Sequence, residues 1–386
     1  DRIYLDHNAT TPLDARVLEA MRPWLEGGFG NPSSLHWFGQ RARAAVEEAR
    51  AQVAALVRAS PAEIVFTGSG TEADNLALRG AAAAASPSRR KIVVSAVEHH
   101  AVLNTAKALA AEGFGLEIAL VTPGGAVDLE ALHALLDERT LLLSLMLANN
   151  ETGVLQPVAE AARRAKAVGA LVHSDAVQAA GKVGLDVAAL GCDLLSLSAH
   201  KVYGPQGVGA LYVRRGTPMQ ALLRGGSQER NRRAGTENVA GAVGLGRASE
   251  LAERALRGEA DPASRAPEAA RLAALRDRLE VLLLEVPGAA VNGAEPRVAN
   301  TTNVSFEGAD AEALVAALDL MGVAVSTGAA CAAGAVEPSH VLLAMGLSRE
   351  RVQGSLRFSL GRGTTPAEVD RAAEAVREAV EKQRRR

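Results

Sequence analysis

The chain of 386 residues carries 42 basic and 44 acidic side chains for a net charge of −2, with 48% hydrophobic and 22% charged residues. At roughly 100–200 residues per domain it is long enough for about two domains, and its balance of charge excludes a global field that would hold it on nucleic acid or an anionic membrane. No run approaches the ~18 apolar residues of a membrane span, and two cysteines, Cys192 and Cys331, make neither a disulfide framework nor a zinc site, which fits a reducing, cytoplasmic compartment.

From Asp1 the chain enters the strand-like Ile3-Tyr4-Leu5, with no signal or transit pattern. Residues 40–58 set Ala42, Ala45, Val46, Ala49, Val53 and Leu56 at three- and four-residue steps with arginines and glutamates outward, which predicts an amphipathic helix. Apolar runs at 64–66, 91–97, 116–121, 141–147, 170–173, 193–198 and 208–213 then alternate with helical stretches. Near-continuously apolar strands separated by helices predict an α/β fold whose mostly parallel sheet is sandwiched by helices. From about 241 to 284 the pattern is helical with a break at 258–262. Strand patterns at 303–306, 323–326 and 356–360 then alternate with helices near 309–320 and 366–383, a smaller α+β domain. The expected division is 12–258 for the large domain and 1–11 plus 259–386 for the small one, which carries a Gly/Ala-rich loop at about 326–337. The basic end, 382–386, reads as a solvated helix terminus.

Open α/β sheets bind ligands beyond the carboxyl ends of their strands, so the residues after each run are the candidates. In TGSGTEADN, 67–75, glycines between a strand and a helix would let backbone N–H groups and a helix dipole meet a phosphate; glycine turns before helices are more often structural. Asp175 at a strand end suits a metal, a ribose hydroxyl or a protonated ring nitrogen, although capping is the commoner job. Lys201, after another run, is a nucleophile able to form a Schiff base if desolvated. His99 and His100 are adjacent, so they point apart and do not chelate one metal; one faces the crevice. Cys331 lies in STGAACAAGAVEPSH, where backbone freedom suits a mobile thiol, whereas Cys192 reads as core. Arg357, inside a strand pattern, is either a carboxylate-binding fork or half of a structural ion pair. A phosphate cradle, an acid, a lysine and a carboxylate fork together meet the needs of a pyridoxal phosphate enzyme acting on an amino acid.

At these residues the sequence resembles the cysteine desulfurases, specifically the group with a long cysteine loop, within the fold-type I, class V aminotransferase-like enzymes. YLDHNATTPLD at 4–14, FGNPSSLH at 29–36, FTGSGTEADNLAL at 66–78, VEHHAVL at 97–103, NNETGVLQP at 149–157 and SDAVQAAGK at 174–182 carry the likeness. So do SAHKVYGPQGVGALYVRR at 198–215, QERNRRAGTENV at 228–239, STGAACAAGAVEPSHVL at 326–342 and SLRFSLGR at 355–362. The resemblance implies that Lys201 holds pyridoxal phosphate and that Asp175 keeps its ring nitrogen protonated. His99 would stack on the ring and help with proton transfer, with Gln178 and Asn150 near the phenolic oxygen. Gly70, Thr71, Ser198 and His200 would meet the phosphate, and Thr236 would reach the phosphate of a neighbouring subunit in a homodimer. Arg357, assisted by Asn150, would grip the substrate carboxylate. Cys331 as thiolate would then take the sulfur of L-cysteine as a persulfide, leaving L-alanine, and pass it to an acceptor such as an iron–sulfur scaffold or a thio-cofactor or tRNA-thiolation enzyme.

Arg224, Ser227 and Asn231 depart from the family's glycine- or histidine-rich pattern and bear on contacts with a neighbouring subunit. The competing readings are a selenocysteine lyase or another class V enzyme, which need no mobile thiol, and a non-catalytic sulfur-transfer scaffold. A zinc or nucleotide enzyme has neither ligand spacing nor a Walker loop behind it. No direct nucleic-acid or membrane partner is expected.

Overall fold

The computed structural model describes residues 2–259, 267–327 and 338–385. The twelve strands among these described residues are numbered in chain order. β1 (Ile3–Tyr4) precedes β2 (Ile64–Thr67), β3 (Lys91–Ser95), β4 (Gly115–Ala119), β5 (Thr140–Ser144), β6 (Leu171–Asp175), β7 (Leu194–Ser198) and β8 (Gly209–Val213). β9 (Ala289–Val291), β10 (Thr301–Phe306), β11 (Val323–Ala324) and β12 (Ser355–Ser359) follow.

The seven apolar runs form a single sheet in the order β2-β8-β7-β6-β5-β3-β4. All its pairings are parallel except those of β8, which runs against both β2 and β7. Strands β2, β5, β7 and β8 are buried at every position, as a sheet covered on both faces requires. β4 closes one edge and is largely exposed.

Helices α1 (Ala15–Glu26) and α2 (Trp37–Leu56) pack against the helix Val239–Leu256. α2 begins before the expected 40 because His36 caps it, its side chain accepting from the Gly39 N–H. Its buried stripe is Ala42, Val46, Ala49 and Val53 with Arg50, an i, i+3, i+4 face. α3 (Gly70–Ala83) follows β2, and α4 (His100–Ala111) follows β3.

A second core gathers Ile3 and Leu5 with Leu275, Leu279, Phe306, Phe358 and Val376. It lies about the antiparallel sheet β12-β10-β9 and the parallel pair β1–β11, under the helices Glu268–Leu284 and Pro366–Arg384. β9, Ala289–Val291, has three residues and no apolar pattern long enough to read from sequence.

Candidate active site

The carboxyl ends of five strands in the large sheet and one strand of the small sheet meet at one cavity of about 460 Å³, within the range of small-molecule sites. Between β2 and α3, Ser69 is the N-cap, and its hydroxyl accepts from the Glu72 N–H at 3.0 Å. Gly70 opens the helix, and a Cβ there would lie 2.9 Å from Val177 Cγ2 and 3.2 Å from Ser198 Cβ. Only glycine lets this helix N-terminus, with its unpaired N–H groups, close onto the ends of β6 and β7.

His99 caps α4 after β3. Its Nδ1 accepts from the Ala101 N–H at 3.1 Å, which leaves the ring proton on Nε2. Desolvation lowers its pKa, with the Asp175 charge opposing and those of Lys201 and His100 reinforcing, so the neutral imidazole is favoured.

Asp175 ends β6 and its Oδ1 accepts from the Val177 N–H at 2.8 Å. That bond closes a turn and caps no helix, so the capping alternative does not describe this residue. Burial raises its pKa, while the His99 charge, the Val177 N–H and the Lys201 charge pull it down. Beneath it Asp74 and Glu98 are fully buried, and desolvation raises both carboxyls well above their ordinary range. Asp74 Oδ1 and Glu98 Oε2 have no hydrogen-bond partner among the described residues.

Lys201 lies in the single turn Ala199–Lys201 that follows β7. Its amine donates to the Ala9 carbonyl at 2.7 Å and to that of Asn8. Desolvation, then the Arg357 charge, pushes its pKa down to about 8, with Asp175 and Asp6 opposing. Arg357 comes from β12: its Nη2 pairs with Asp6 Oδ1 at 2.6 Å and its Nη1 donates to the Asn150 carbonyl at 3.1 Å. The ion-pair alternative is therefore realised, yet Nε is buried with no hydrogen-bond partner among the described residues, and the residue lines the cavity.

Gly70, Thr71, His99, Asn150, Asp175, Gln178, Ser198, His200, Lys201 and Arg357 all line this cavity. Thr236 does not: it is exposed in the segment after the short helix Gln228–Asn231. Cys331 lies outside the described residues. Sequence reasoning gave no role to Asn8, His100, Glu151 or His340, which also line the cavity. Asn8 sits inside the YLDHNATTPLD motif, a signal that was present without a chemical pointer attached to it.

The segment holding Thr236 is tied to α2 and β2 through Glu229 and to the phosphate-loop candidate through an Arg233–Glu72 ion pair. Glu229 is buried; Arg50 meets its two oxygens at 2.6 and 2.9 Å, and the Phe66 N–H donates to it at 3.0 Å. Arg233 Nε donates to Glu72 Oε1 at 2.8 Å, and Glu72 Oε2 accepts from the Gly68 N–H at 2.7 Å. Between them Glu229, Arg230 and Asn231 take φ of 46°, 57° and 63°, a left-handed turn. Asparagine is among the residues that tolerate this region best after glycine, which suits Asn231 to its place in the turn.

These residues fit pyridoxal phosphate on three structural counts. The glycine-opened helix end suits the phosphate, a buried carboxyl suits a protonated ring nitrogen, and an amine of lowered pKa suits the aldehyde.

Residues 3–372 match the aminotransferase class-V family. The cysteine desulfurase of Trichormus azollae is 48% identical over 99% of this chain and 94% of its own length. A NifS-like protein of known structure superposes with a TM-score of 0.90 at 39% identity, covering 98% of this chain and 99% of that one. A structure described as SspA in complex with cysteine superposes with a TM-score of 0.81 at 32% identity, covering 93% of this chain and 98% of that one. The chain belongs to the aminotransferase class-V family and, within it, to the cysteine desulfurases.

Proposed function

We propose that the cavity converts L-cysteine to L-alanine with pyridoxal phosphate as cofactor, the sulfur passing to Cys331 as a persulfide and from there to an acceptor. The observation that carries this reading is the meeting of the Lys201 amine, the buried Asp175 and the Gly70 helix end at one cavity with Arg357. When bound, pyridoxal phosphate supplies an electron sink that acidifies the substrate's Cα–H and loosens its Cβ–S bond.

The chain's own residues supply the rest. Lys201 holds the cofactor and, once released, moves the Cα proton; its lowered pKa leaves a substantial neutral fraction near pH 8. Asp175 holds the proton on the ring nitrogen, and Gly70, Thr71, Ser198 and His200 hold the phosphate. His99, with its proton fixed on Nε2, stacks and donates. Gln178 and Asn150 attend the phenolic oxygen, and Arg357 with Asn150 orients the substrate carboxylate. The Cys331 thiolate attacks the substrate sulfur: an S–S bond forms, the C–S bond breaks, and the carbon fragment is protonated to alanine.

Thr236 serves the phosphate site of a second copy in a homodimer. Its exposure, its absence from its own cavity and the exposed Phe29, Leu35 and Trp37 support this. The acceptor is a sulfur-handling protein such as an iron–sulfur scaffold, and the compartment is cytoplasmic; no helix among the described residues is long and apolar enough to cross a membrane. The two largest hydrophobic clusters, one almost wholly within 12–258 and the other of Ile3, Leu5 and residues 272–380, support a division into 12–258 and 1–11 plus 259–386.

Mass spectrometry after turnover with L-cysteine tests the reading. Alanine release with a one-sulfur adduct on Cys331 is expected. Sulfur transfer that persists in Cys331→Ala would favour a lyase that needs no thiol, and a protein that takes up no pyridoxal phosphate would favour the scaffold.

A further inference from the structure

Behind Lys201 lies a second, smaller cavity of about 40 Å³, between the sheet and the small domain's helices. Lys182 lines it together with Lys201, yet no step of the proposed chemistry uses Lys182. As a residue Lys182 keeps some accessible surface, but its amine is packed among protein groups.

Two neutral oxygens receive that amine: it donates to Gln178 Oε1 and to Asn8 Oδ1, each at 2.9 Å. No carboxylate among the described residues pairs with it. Glu268, the acid on the rear cavity, is taken by Arg362 at 2.7 Å. The other charged or titratable groups facing Lys182 are Lys201, Arg357, His7 and Tyr203. A lysine this enclosed is costly when charged; two neutral acceptors are what a neutral amine, with two N–H groups, satisfies in full.

The arrangement dictates which way two side-chain amides face. Both amide oxygens face Lys182, which spends an N–H on each, and both NH2 groups turn away to other acceptors. Gln178 Nε2 accordingly donates to the Asn8 carbonyl at 2.9 Å, the same oxygen that Lys201 reaches. Asn8 Nδ2 donates to Thr301 Oγ1 at 2.9 Å and to the Asn150 carbonyl at 3.1 Å. Gln178 has a second N–H, for which no described residue is the acceptor, and the residue lines the main cavity.

We propose that Lys182 is a positioning residue: it locks the Gln178 amide so that an N–H donor, and not a carbonyl, faces the cofactor's oxygen. This rests on the proposed cofactor and names what sets the polarity of one wall of that site. A donor to an oxygen anion favours its deprotonated form. Without Lys182 the direction of the Gln178 amide is set by its single N–H bond to the Asn8 carbonyl, and the bias against presenting an acceptor is weakened.

The loaded protein's visible absorption, titrated with pH, reads this directly. Lys182→Met is expected to raise the midpoint by about half a unit or more, and Gln178→Leu to raise it comparably. If Lys182 acts through Gln178, the double variant moves the midpoint no further than Gln178→Leu alone.

A second readout uses the cofactor-free protein. Desolvation, then the Lys201 and Arg357 charges, pushes the Lys182 amine down to about 7. The unfolded chain stays protonated to about pH 10.4, so this group makes stability rise with pH between those limits, with its full penalty below 7. Lys182→Met is expected to shrink the rise in Tm between pH 6.5 and 9.

An unmoved midpoint in Lys182→Met overturns the proposal and leaves a packing lysine. Additive shifts in the double variant overturn it in favour of a direct charge effect. A wild type that takes up no pyridoxal phosphate overturns the proposed function, and this inference with it.

Discussion

The large sheet and the small sheet furnish the cavity with different kinds of charge. From the large sheet come groups that burial drives toward neutrality: Lys201 and His99 are lowered, and Asp175 is raised. From the small sheet comes Arg357, a guanidinium held by Asp6. Groups proposed to gain and lose protons thus sit where desolvation tunes them. The group proposed to hold a carboxylate is a planar fork of N–H donors fixed by its ion pair.

Breaking the tunable set should cost most. Lys201→Ala is expected to lower turnover by about 10³-fold or more and to abolish the visible absorbance of the loaded protein, measured by steady-state alanine release and by spectrum. Asp175→Asn, which cannot hold a proton on the ring nitrogen, should cost about 10²-fold in kcat with a smaller change in KM, because the loss is felt in the transition state.

The fixed charge should fail differently. Arg357→Ala is expected to raise KM for L-cysteine about 10–100-fold, matching the loss of charge-assisted hydrogen bonds worth roughly 1.5–3 kcal/mol. Arg357→Lys should recover only part of it, since a point charge does not reproduce the fork.

Titration sharpens the contrast. Only the neutral Lys201 amine attacks the cofactor's aldehyde, and its pKa is about 8. Uptake of pyridoxal phosphate by the cofactor-free protein should therefore quicken about tenfold from pH 7 to 9 in stopped-flow absorbance, rising with pH and not falling. The smallest effect belongs to the segment outside both sheets. Asn231→Gly should change Tm little or raise it slightly, while Asn231→Val at φ 63° should cost about 1–2 kcal/mol in denaturant unfolding.

The large sheet was legible because its inner strands are covered on both faces and so read as unbroken apolar runs, as 140–144 and 194–198 do. The strand order was not, because it depends on which runs end up side by side. Reversal of β8 leaves no mark on its own composition. Gly70 looked like an ordinary turn glycine. Its necessity comes from Val177 and Ser198, more than a hundred residues away, which crowd the space a Cβ would fill. Arg357 kept two readings in sequence, and the fold realises the ion pair while leaving Nε on offer. Asn8 and Lys182 were silent for a related reason. A lone polar residue becomes an enclosed hub only once the turn after β6 closes around it together with β10 and β12.

Cys192 adds a built-in control to any labelling of this chain. It is wholly buried, and desolvation pushes its thiol up to about 12, so at neutral pH almost no thiolate is present to react while the fold holds. Modification there clocks the opening of the large core. Sulfur or alkyl tags found on Cys192 therefore count unfolded molecules, and the ratio of the two thiols' labels separates turnover from damage within one sample.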